Sequence, residues 1–298
     1  MILLLHAAGC GTSTSTPSGR SYDDQVAAAK AKDNPDIRAF ELIRIGYQQG
    51  KKGGDALGSA KTLEAADMAC SQIDDRALRA DKYTLLADAY YRLGNRLEAA
   101  KALNDARTAA EAVEPAAAKP PALAAIAAVY SSGAQNEDEA IALFTIAEQA
   151  AEKIEDSQAR ALALKEVAKS LIKAKQTARG EKALAKATES ARVVQDARQR
   201  GDALAQIAAV QMTMSDKAVA NATLEAALES ARQIESLYSR VYALTDIAEQ
   251  LIDAKQKDSA GKVIGEAESL VKKIPQLDLQ EQAEARVSRT KTALAKLK

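Results

Sequence analysis

The sequence predicts an all-α protein, a solenoid of six helical hairpins of about 40 residues each, followed by a C-terminal capping helix. Three observations support this prediction. The 47% hydrophobic share of the 298-residue chain comes largely from Ala, the best helix former, while only 14 Gly and 6 Pro are present. Arg160, Arg200 and Arg240 are spaced by 40 residues. Around this spacing, apolar residues recur in columns with helical offsets.

The first helix of each predicted hairpin carries three apolar columns at offsets 0, +3 and +4, which lie on one helix face. A small residue in the third column lets two helix axes approach closely, and the large residue beside it fills the adjacent hole. The columns are Leu42, Tyr83, Leu123, Leu164, Leu204, Leu244; Ile45, Leu86, Ile126, Val167, Ile207, Ile247; and Gly46, Ala87, Ala127, Ala168, Ala208, Ala248.

The second helix of each hairpin has its own stripe, at offsets 0, +3 and +10. Gly and short polar residues separate the two helices, and these residue types end one helix and cap the next. A single hairpin cannot bury its stripe alone, so stacked neighbours are expected to share one continuous core. The stripe is formed by Leu63, Leu103, Phe144, Leu184, Leu224, Ile264; Ala66, Ala106, Ala147, Ala187, Ala227, Ala267; and Ile73, Val113, Ile154, Val194, Ile234, Ile274.

The amino terminus has the pattern of a secretion signal. Residues 1–10 form an apolar run that ends in small residues before a cysteine, and a Thr/Ser/Pro/Gly stretch follows. Ala7-Ala8-Gly9-Cys10 resembles the lipobox of bacterial lipoproteins, which implies that Cys10 carries a lipid. The predicted organisation is a signal peptide with lipobox at 1–10, a flexible tether at 11–36 with a short helix around 25–32, the solenoid at 37–278 and the capping helix at 279–298.

The stretch Tyr83-x-x-Leu86-Ala87-x-x-Tyr90, followed by Ala99-x-x-x-Leu103, resembles a tetratricopeptide (TPR) repeat. The resemblance covers roughly residues 38–278 and implies a right-handed solenoid of TPR-like hairpins. Three features depart from the family: the 40-residue period, the missing Pro at the repeat end, and non-aromatic residues at several positions where the family has Tyr.

In TPR proteins the first helices line a concave groove that binds an extended peptide or a partner helix. The resemblance implies that this groove is formed by Phe40, Ile43, Tyr47, Asp81, Asp88, Tyr91, Arg92, Lys165, Lys169, Lys173, Met212, Tyr242, Glu249 and Asp253. The three lysines are spaced by four residues and are predicted to form one basic stripe. Such a stripe suits a carboxylate terminus or an acidic peptide segment, although an ordinary solvated helix face is the alternative.

A basic residue recurs once per hairpin, and acidic residues recur just upstream of it, so we expect a local ion pair at each turn between hairpins rather than a ladder for an anionic partner. The basic residues are Arg38, Arg79, Lys119, Arg160, Arg200 and Arg240. Cys70 falls on the second-helix stripe and is predicted to be a small buried residue.

Several function classes are excluded or disfavoured. The only histidine is His6 and the only cysteines are Cys10 and Cys70, which excludes His-based triads, His/Cys zinc sites and redox Cys pairs. The 41 basic residues balance 41 acidic ones, so net charge gives no reason to bind nucleic acid. We expect no enzyme activity, cofactor or metal.

These observations favour a protein-binding adaptor or scaffold that is lipid-anchored at the bacterial outer membrane and faces the periplasm. The expected partner is a protein or peptide, and the expected membrane contact is the N-terminal lipid only. Three alternatives stay open: a structural envelope spacer whose groove has no ligand, a cytoplasmic TPR-like protein if the first ten residues are not a signal, and an enzyme or ligand-binding subunit that uses Tyr, Lys and carboxylates.

Overall fold

The computed structural model describes residues 21–134, 136–214 and 216–297. These residues form helices joined by short turns, with no strand among them, so the predicted all-α class is confirmed for this part of the chain. The described chain divides into two compact units, residues 21–113 with 129–136 and residues 114–128 with 137–297. Within these ranges, every helix is either too short or too polar to cross a bilayer.

The first unit is built from adjacent helix pairs. Its α-helices are α1 Tyr22–Lys30, α2 Pro35–Lys51, α3 Ala56–Ser71, α4 Arg76–Arg92 and α5 Arg96–Glu111. Helix α2 packs against α3 and α4 against α5, so each pair forms a hairpin, and the two first helices α2 and α4 also pack together. Helix α1 packs on α2 and lies in the segment predicted as a tether, three residues earlier than the short helix expected there.

The second unit repeats this arrangement. Its α-helices are α6 Lys119–Val129, α7 Glu137–Glu152, α8 Ser157–Lys173, α9 Thr177–Arg192, α10 Ala197–Gln211, α11 Lys217–Arg232, α12 Leu237–Asp253, α13 Lys257–Val271 and α14 Leu277–Ala295. Helices α8 and α9, α10 and α11, and α12 and α13 form hairpins, and the first helices α8, α10, α12 pack in sequence. The last helix, α14, packs on both α12 and α13 and buries Ala283, Val287 and Thr290.

The predicted columns form the core of both units. Every residue of the small column, from Gly46 to Ala248, is buried. The large residues beside them, such as Leu42 in the first unit and Leu164 in the second, are each 1% exposed. Burying a side chain of this size stabilises the fold by about 1.5–3 kcal/mol. The buried stripes therefore explain why the first helices lie side by side, which leaves their opposite faces available for function.

Candidate partner-binding groove

A shallow groove of about 230 Å³ lies between α2 and α4 in the first unit. Its lining residues are Phe40, Ile43, Arg44, Tyr47, Leu85, Asp88, Ala89 and Arg92. We call this surface the α2/α4 groove. Five residues of the predicted partner surface, Phe40, Ile43, Tyr47, Asp88 and Arg92, come together in it. The grouping follows from helix geometry, because residues three or four apart on each helix share one face.

The α2/α4 groove lies on an unusually apolar helix face. Phe40 is 47% exposed and Leu85 is 37% exposed within the groove itself, and Ile37 and Leu78 extend the same face with 47% and 44% exposure. Single exposed apolar residues are common, but four large ones on two packed helices form a patch of the kind that marks a protein interaction site. The sequence reasoning missed Ile37, Leu78 and Leu85. Ile37 lies three residues before Phe40, and Leu78 lies seven residues before Leu85. These helical spacings, which fall outside the buried columns, could have identified them.

One end of the α2/α4 groove is basic. Lys51 Nζ donates a hydrogen bond to the Tyr47 hydroxyl at 2.8 Å, and this bond lowers the Tyr47 pKa against the opposing effect of burial. Arg92 Nε lies 2.8 Å from Asp88 Oδ2, and this bond raises the Arg92 pKa. The phenolic oxygen thus lies among cationic groups, and a partner's carboxylate or hydroxyl oxygen would be well placed to share their donors.

A buried lysine joins the two helices beyond the other end of the groove. Lys82 on α4 is 8% exposed, and its Nζ lies 3.0 Å from Asp36 Oδ1 on α2 and 2.7 Å from Asp81 Oδ2. Burial alone would lower the Lys82 pKa, but the bonds from Asp81 and Asp36 outweigh it and raise the pKa. The lysine is therefore charged and fixes the spacing of α2 and α4, so the groove walls are held in place.

The predicted lysine stripe on α8 is not an uncompensated basic surface. Lys165 is only 9% exposed, and its Nζ donates to Gln206 Oε1 at 2.6 Å and lies 2.9 Å from Glu166 Oε1. Lys169 Nζ lies 2.9 Å from Glu166 Oε2. Burial raises the Glu166 pKa, but its bonds from Lys169 and Lys165 outweigh that effect and lower it. Glu166 was overlooked in the sequence, and it offsets two of the three charges; Lys173 is exposed at the end of the helix.

The remaining first-helix face of the second unit is also internally paired. Arg286 on α14 donates to Asp246 Oδ1 at 2.6 Å and to Glu249 Oε2 at 2.9 Å on α12, and its guanidinium lies 5.7 Å from the Tyr242 ring centroid. The Tyr238 ring contacts the Tyr242 ring in a tilted arrangement, with centroids 4.6 Å apart and 42° between the ring planes. These partners hold Tyr242 within the protein's own network, so it is not an open anchor for a ligand.

Two other predicted groove residues point elsewhere. Met212 is 3% exposed, so its side chain contributes to packing and offers no contact surface. Tyr91 is half-buried against Gly133, where a Cβ would lie 3.0 Å from the Tyr91 Cδ2 atom. Burial raises the Tyr91 pKa. Both residues were assigned to the groove by the helical spacing of the family pattern. That spacing does not show that α10 ends at Gln211, directly before Met212, or that the π-helical turn Tyr130–Ala134 places Gly133 against Tyr91.

The basic column has a structural role, but its partners are not the upstream acids. Arg79, Arg160, Arg200 and Arg240 each donate to the carbonyl oxygen of the residue six positions earlier, at 2.6–2.9 Å. Three of the upstream acids, Asp75, Asp156 and Asp196, act as helix N-caps instead, and each accepts a hydrogen bond from a backbone amide at 2.7–2.9 Å. For these three hairpins the expected ion pair was therefore wrong, because a cap position directs the carboxylate toward the helix amides.

Of the two cysteines, only Cys70 lies within the described residues. Cys70 is completely buried, as predicted, and burial raises its pKa to about 12. This pKa leaves almost no thiolate at neutral pH, so Cys70 is a packing residue. Cys10, the predicted lipidation site, lies outside the described residues.

Comparisons with known proteins give little further information. No family model matches the sequence, and no curated protein matches it. Among solved structures, the chain is similar to the crystal structure of Ton1535 from Thermococcus onnurineus NA1, with 17% sequence identity over 89% of this chain and 95% of that chain and a TM-score of 0.43. A likeness at this level carries no argument about function.

Proposed function

We propose that this protein is a non-catalytic adaptor or scaffold that binds a peptide or a partner helix in the α2/α4 groove. The observation that carries the proposal is the contrast between two first-helix faces. In the first unit, Ile37, Phe40, Leu78 and Leu85 expose apolar surface beside the hydroxyl of Tyr47 and its cationic neighbours. In the second unit, the described residues of α8, α10 and α12 include no exposed large apolar side chain.

The contrast favours the first unit because binding energy comes mainly from a few large buried anchors. Aromatic and aliphatic side chains that are covered by a partner dominate most interfaces, while exposed ion pairs contribute little. An aliphatic or aromatic anchor of the partner would contact Phe40 and Leu85. A polar group beside that anchor would accept hydrogen bonds at the Tyr47 end of the groove. An amphipathic helix or an extended peptide with one apolar anchor has both features.

We also propose that the helices form the repeat architecture that the sequence predicts. Six hairpins with a 40-residue period, TPR-like in their residue pattern and stacked as a right-handed solenoid with α14 as the cap, would present the first helices in one row. Five adjacent helix pairs and the burial of the repeating columns support it. Helix α14 supports it as well, because it packs on α12 and α13 without following the repeat.

The proposed location follows from the amino terminus. A lipid on Cys10 would anchor the protein at the bacterial outer membrane, with the helical body in the periplasm. The lipobox-like sequence Ala7 to Cys10 supports this location. If residues 1–10 are not a signal, the same groove would act in the cytoplasm. Mass spectrometry of the mature amino terminus distinguishes the two, since lipidation gives a modified Cys10 and the cytoplasmic alternative keeps Met1.

The experiment that tests the function is in-cell cross-linking of a tagged protein, followed by mass spectrometry of the attached proteins. We expect Phe40→Asp with Leu85→Asp to lose the specific partners, because two carboxylates would be placed on the apolar wall. The matched control is Lys169→Glu with Lys173→Glu, which changes the other predicted face and should keep the partners. Unchanged capture by the folded Phe40/Leu85 variant would contradict the proposal and favour a structural spacer.

A further inference from the structure

One edge of the first unit combines exposed leucines with basic residues. It consists of two turns with the helix ends that flank them: residues 51–57 between α2 and α3, and residues 92–97 between α4 and α5. We call this surface the turn edge. The two turns are contiguous, because Leu93 packs over Gly50, where a Cβ would lie 2.8 Å from its Cδ2 atom. Both α3 and α5 begin here, so their first residues face the same side of the unit.

The turn edge has an unusual apolar exposure. Leu57 is 69% exposed and Leu97 is 81% exposed, each as the second residue of its helix. Both leucines lie at the tips of the unit, beyond the α2/α4 groove, and neither lines it. Leucines at such tips can enter a layer of lipid without moving the helices behind them.

The charges around these leucines are mainly basic. Lys51, Lys52, Arg92 and Arg96 are exposed at the turn edge, and Arg92 shares its charge with Asp88. Two acids lie next to these leucines: Asp55 accepts a hydrogen bond from the Gly58 amide at 2.8 Å as the N-cap of α3, and Glu98 is exposed directly after Leu97. Anionic headgroups attract such basic clusters, and the attraction falls off within about 10 Å at moderate salt.

The described chain also begins at this edge. Tyr22 lies against the turn, since a Cβ on Gly53 would be 3.0 Å from the Tyr22 Cε2 atom. Cys10 precedes Tyr22 by twelve residues, which span at most roughly 40 Å. The amino-terminal segment that contains Cys10 therefore joins the described part of the first unit at the turn edge.

We infer that the turn edge contacts an anionic lipid bilayer directly, with Leu57 and Leu97 inserted and the basic side chains over the headgroups. The contact orients the first unit on the membrane. It adjoins the basic end of the α2/α4 groove at Lys51 and Arg92, but Leu57 and Leu97 do not line the groove, and the contact does not require the lipid on Cys10. It also goes beyond the expectation that the membrane is reached only through that lipid.

The test uses full-length chain with Cys10→Ser, so that no lipid is attached. The sequence has no Trp, so Leu57→Trp, Leu97→Trp or Leu277→Trp each introduces a single fluorescent reporter. The vesicles contain either phosphatidylcholine alone or phosphatidylcholine with 30% phosphatidylglycerol. We expect the emission at positions 57 and 97 to shift to shorter wavelength with the anionic vesicles only. The emission at position 277, where Leu277 is also 69% exposed, should not change.

Charge variants test whether the basic side chains of the turn edge contribute to vesicle binding. Lys52→Ser with Arg96→Ser should weaken vesicle binding roughly 25-fold, since each basic residue near an anionic surface contributes about fivefold. Lys272→Ser with Lys273→Ser, two exposed lysines next to α14, is the matched control and should leave binding unchanged. Residues 1–10 are otherwise the same in all variants, so any affinity of their own for lipid is constant.

Three results would overturn the inference: no shift at either turn-edge position, an equal shift at position 277, or an equal response to neutral vesicles. Phe40→Asp with Leu85→Asp should bind vesicles like the parent chain. A loss of partners in that variant together with retained vesicle binding separates the groove from the turn edge, so failure of either proposal can be recognised on its own.

Discussion

Arg200 Nη1 donates a hydrogen bond to the carbonyl oxygen of Val194 at 2.7 Å, across the turn that joins α9 to α10. Val194 lies just after the end of α9, where helix carbonyl groups lack intrahelical partners. Arg200 also donates to Ser230 Oγ at 3.1 Å on α11, so one guanidinium on α10 bonds both the turn after α9 and helix α11. The same relation recurs at Arg160 with Ile154 and Ser190. The arginines that recur every 40 residues therefore stabilise the turns between hairpins.

Arg200→Ala is expected to lower the free energy of unfolding by about 2 kcal/mol, because hydrogen bonds from a charged donor to partly buried acceptors are worth about 1.5–3 kcal/mol. Urea denaturation followed by circular dichroism measures the change. Arg192→Ala, which removes an exposed arginine at the end of α9, is the control and should change stability by less than about 0.5 kcal/mol. Equal effects of the two substitutions would contradict the assigned role of Arg200.

Gly46 and Gly265 are expected to respond oppositely to alanine. A Cβ on Gly46 would lie 2.8 Å from both Cγ and Cδ2 of the fully buried Leu63, while a Cβ on Gly265 has nothing within 4 Å. Gly265→Ala should raise the free energy of unfolding by about 0.5–1 kcal/mol through helix propensity. Gly46→Ala should lower it by about 1 kcal/mol, because overpacking outweighs that gain. Stabilisation by Gly46→Ala would show that α2 and α3 can move apart at little cost.

Cys70 should be nearly inert to thiol reagents in the folded protein. Burial raises its pKa from 9.0 to about 12, so the thiolate fraction falls by roughly 10³. The measurement is the rate of modification by a disulfide reagent at pH 8 in the Cys10→Ser chain, with and without 8 M urea as denaturant. Equal rates in the two conditions would mean that Cys70 is accessible in the native state.

The Arg232–Glu266 pair should make the free energy of unfolding depend on pH in the acidic range. Arg232 donates to both carboxylate oxygens of Glu266 at 2.8 Å, and this lowers the Glu266 pKa below its unfolded value of about 4.3. The stabilisation is therefore complete above about pH 4.3 and is lost as pH falls through the lower folded pKa. The difference in unfolding midpoint between the parent chain and Glu266→Gln should shrink from pH 6 to pH 3.

The control for this pH series is Glu266→Gln made in the Arg232→Ala chain, which lacks the cation that lowers the Glu266 pKa. There the effect of Glu266→Gln should vary less between pH 6 and pH 3 than it does in the parent chain. A Glu266→Gln difference that stays constant over the same range would contradict the assigned pair.

The buried face of the helices could be predicted from the sequence because each column repeats with the same offsets. Leu42, Gly46 and Leu63 were identified this way and are buried. A helix is also present where the capping helix was predicted, as Leu277–Ala295, which begins two residues and ends three residues before the predicted bounds of 279–298. These features depend on spacing within one or two helices, which a sequence shows directly.

The exposed faces could not be predicted to the same extent, because they depend on pairing between helices. Lys165 was predicted to lie in an open basic stripe because it is four residues from Lys169. Its Nζ instead donates a hydrogen bond to Gln206, which is 41 positions away in the sequence. Arg200 has acids nearby in sequence, yet those acids cap helices. Phe40 was identified through the family resemblance, but its neighbour Leu85 required the packing of α2 against α4.

Site-specific photo-cross-linking shows whether a partner occupies the α2/α4 groove in cells. A photoreactive phenylalanine analogue is placed in cells at position 40, at position 169 or at position 277, one per variant. We expect discrete protein adducts from position 40 and none from the other two positions. Adducts from position 169 without adducts from position 40, or no adduct from position 40 at all, would contradict this expectation.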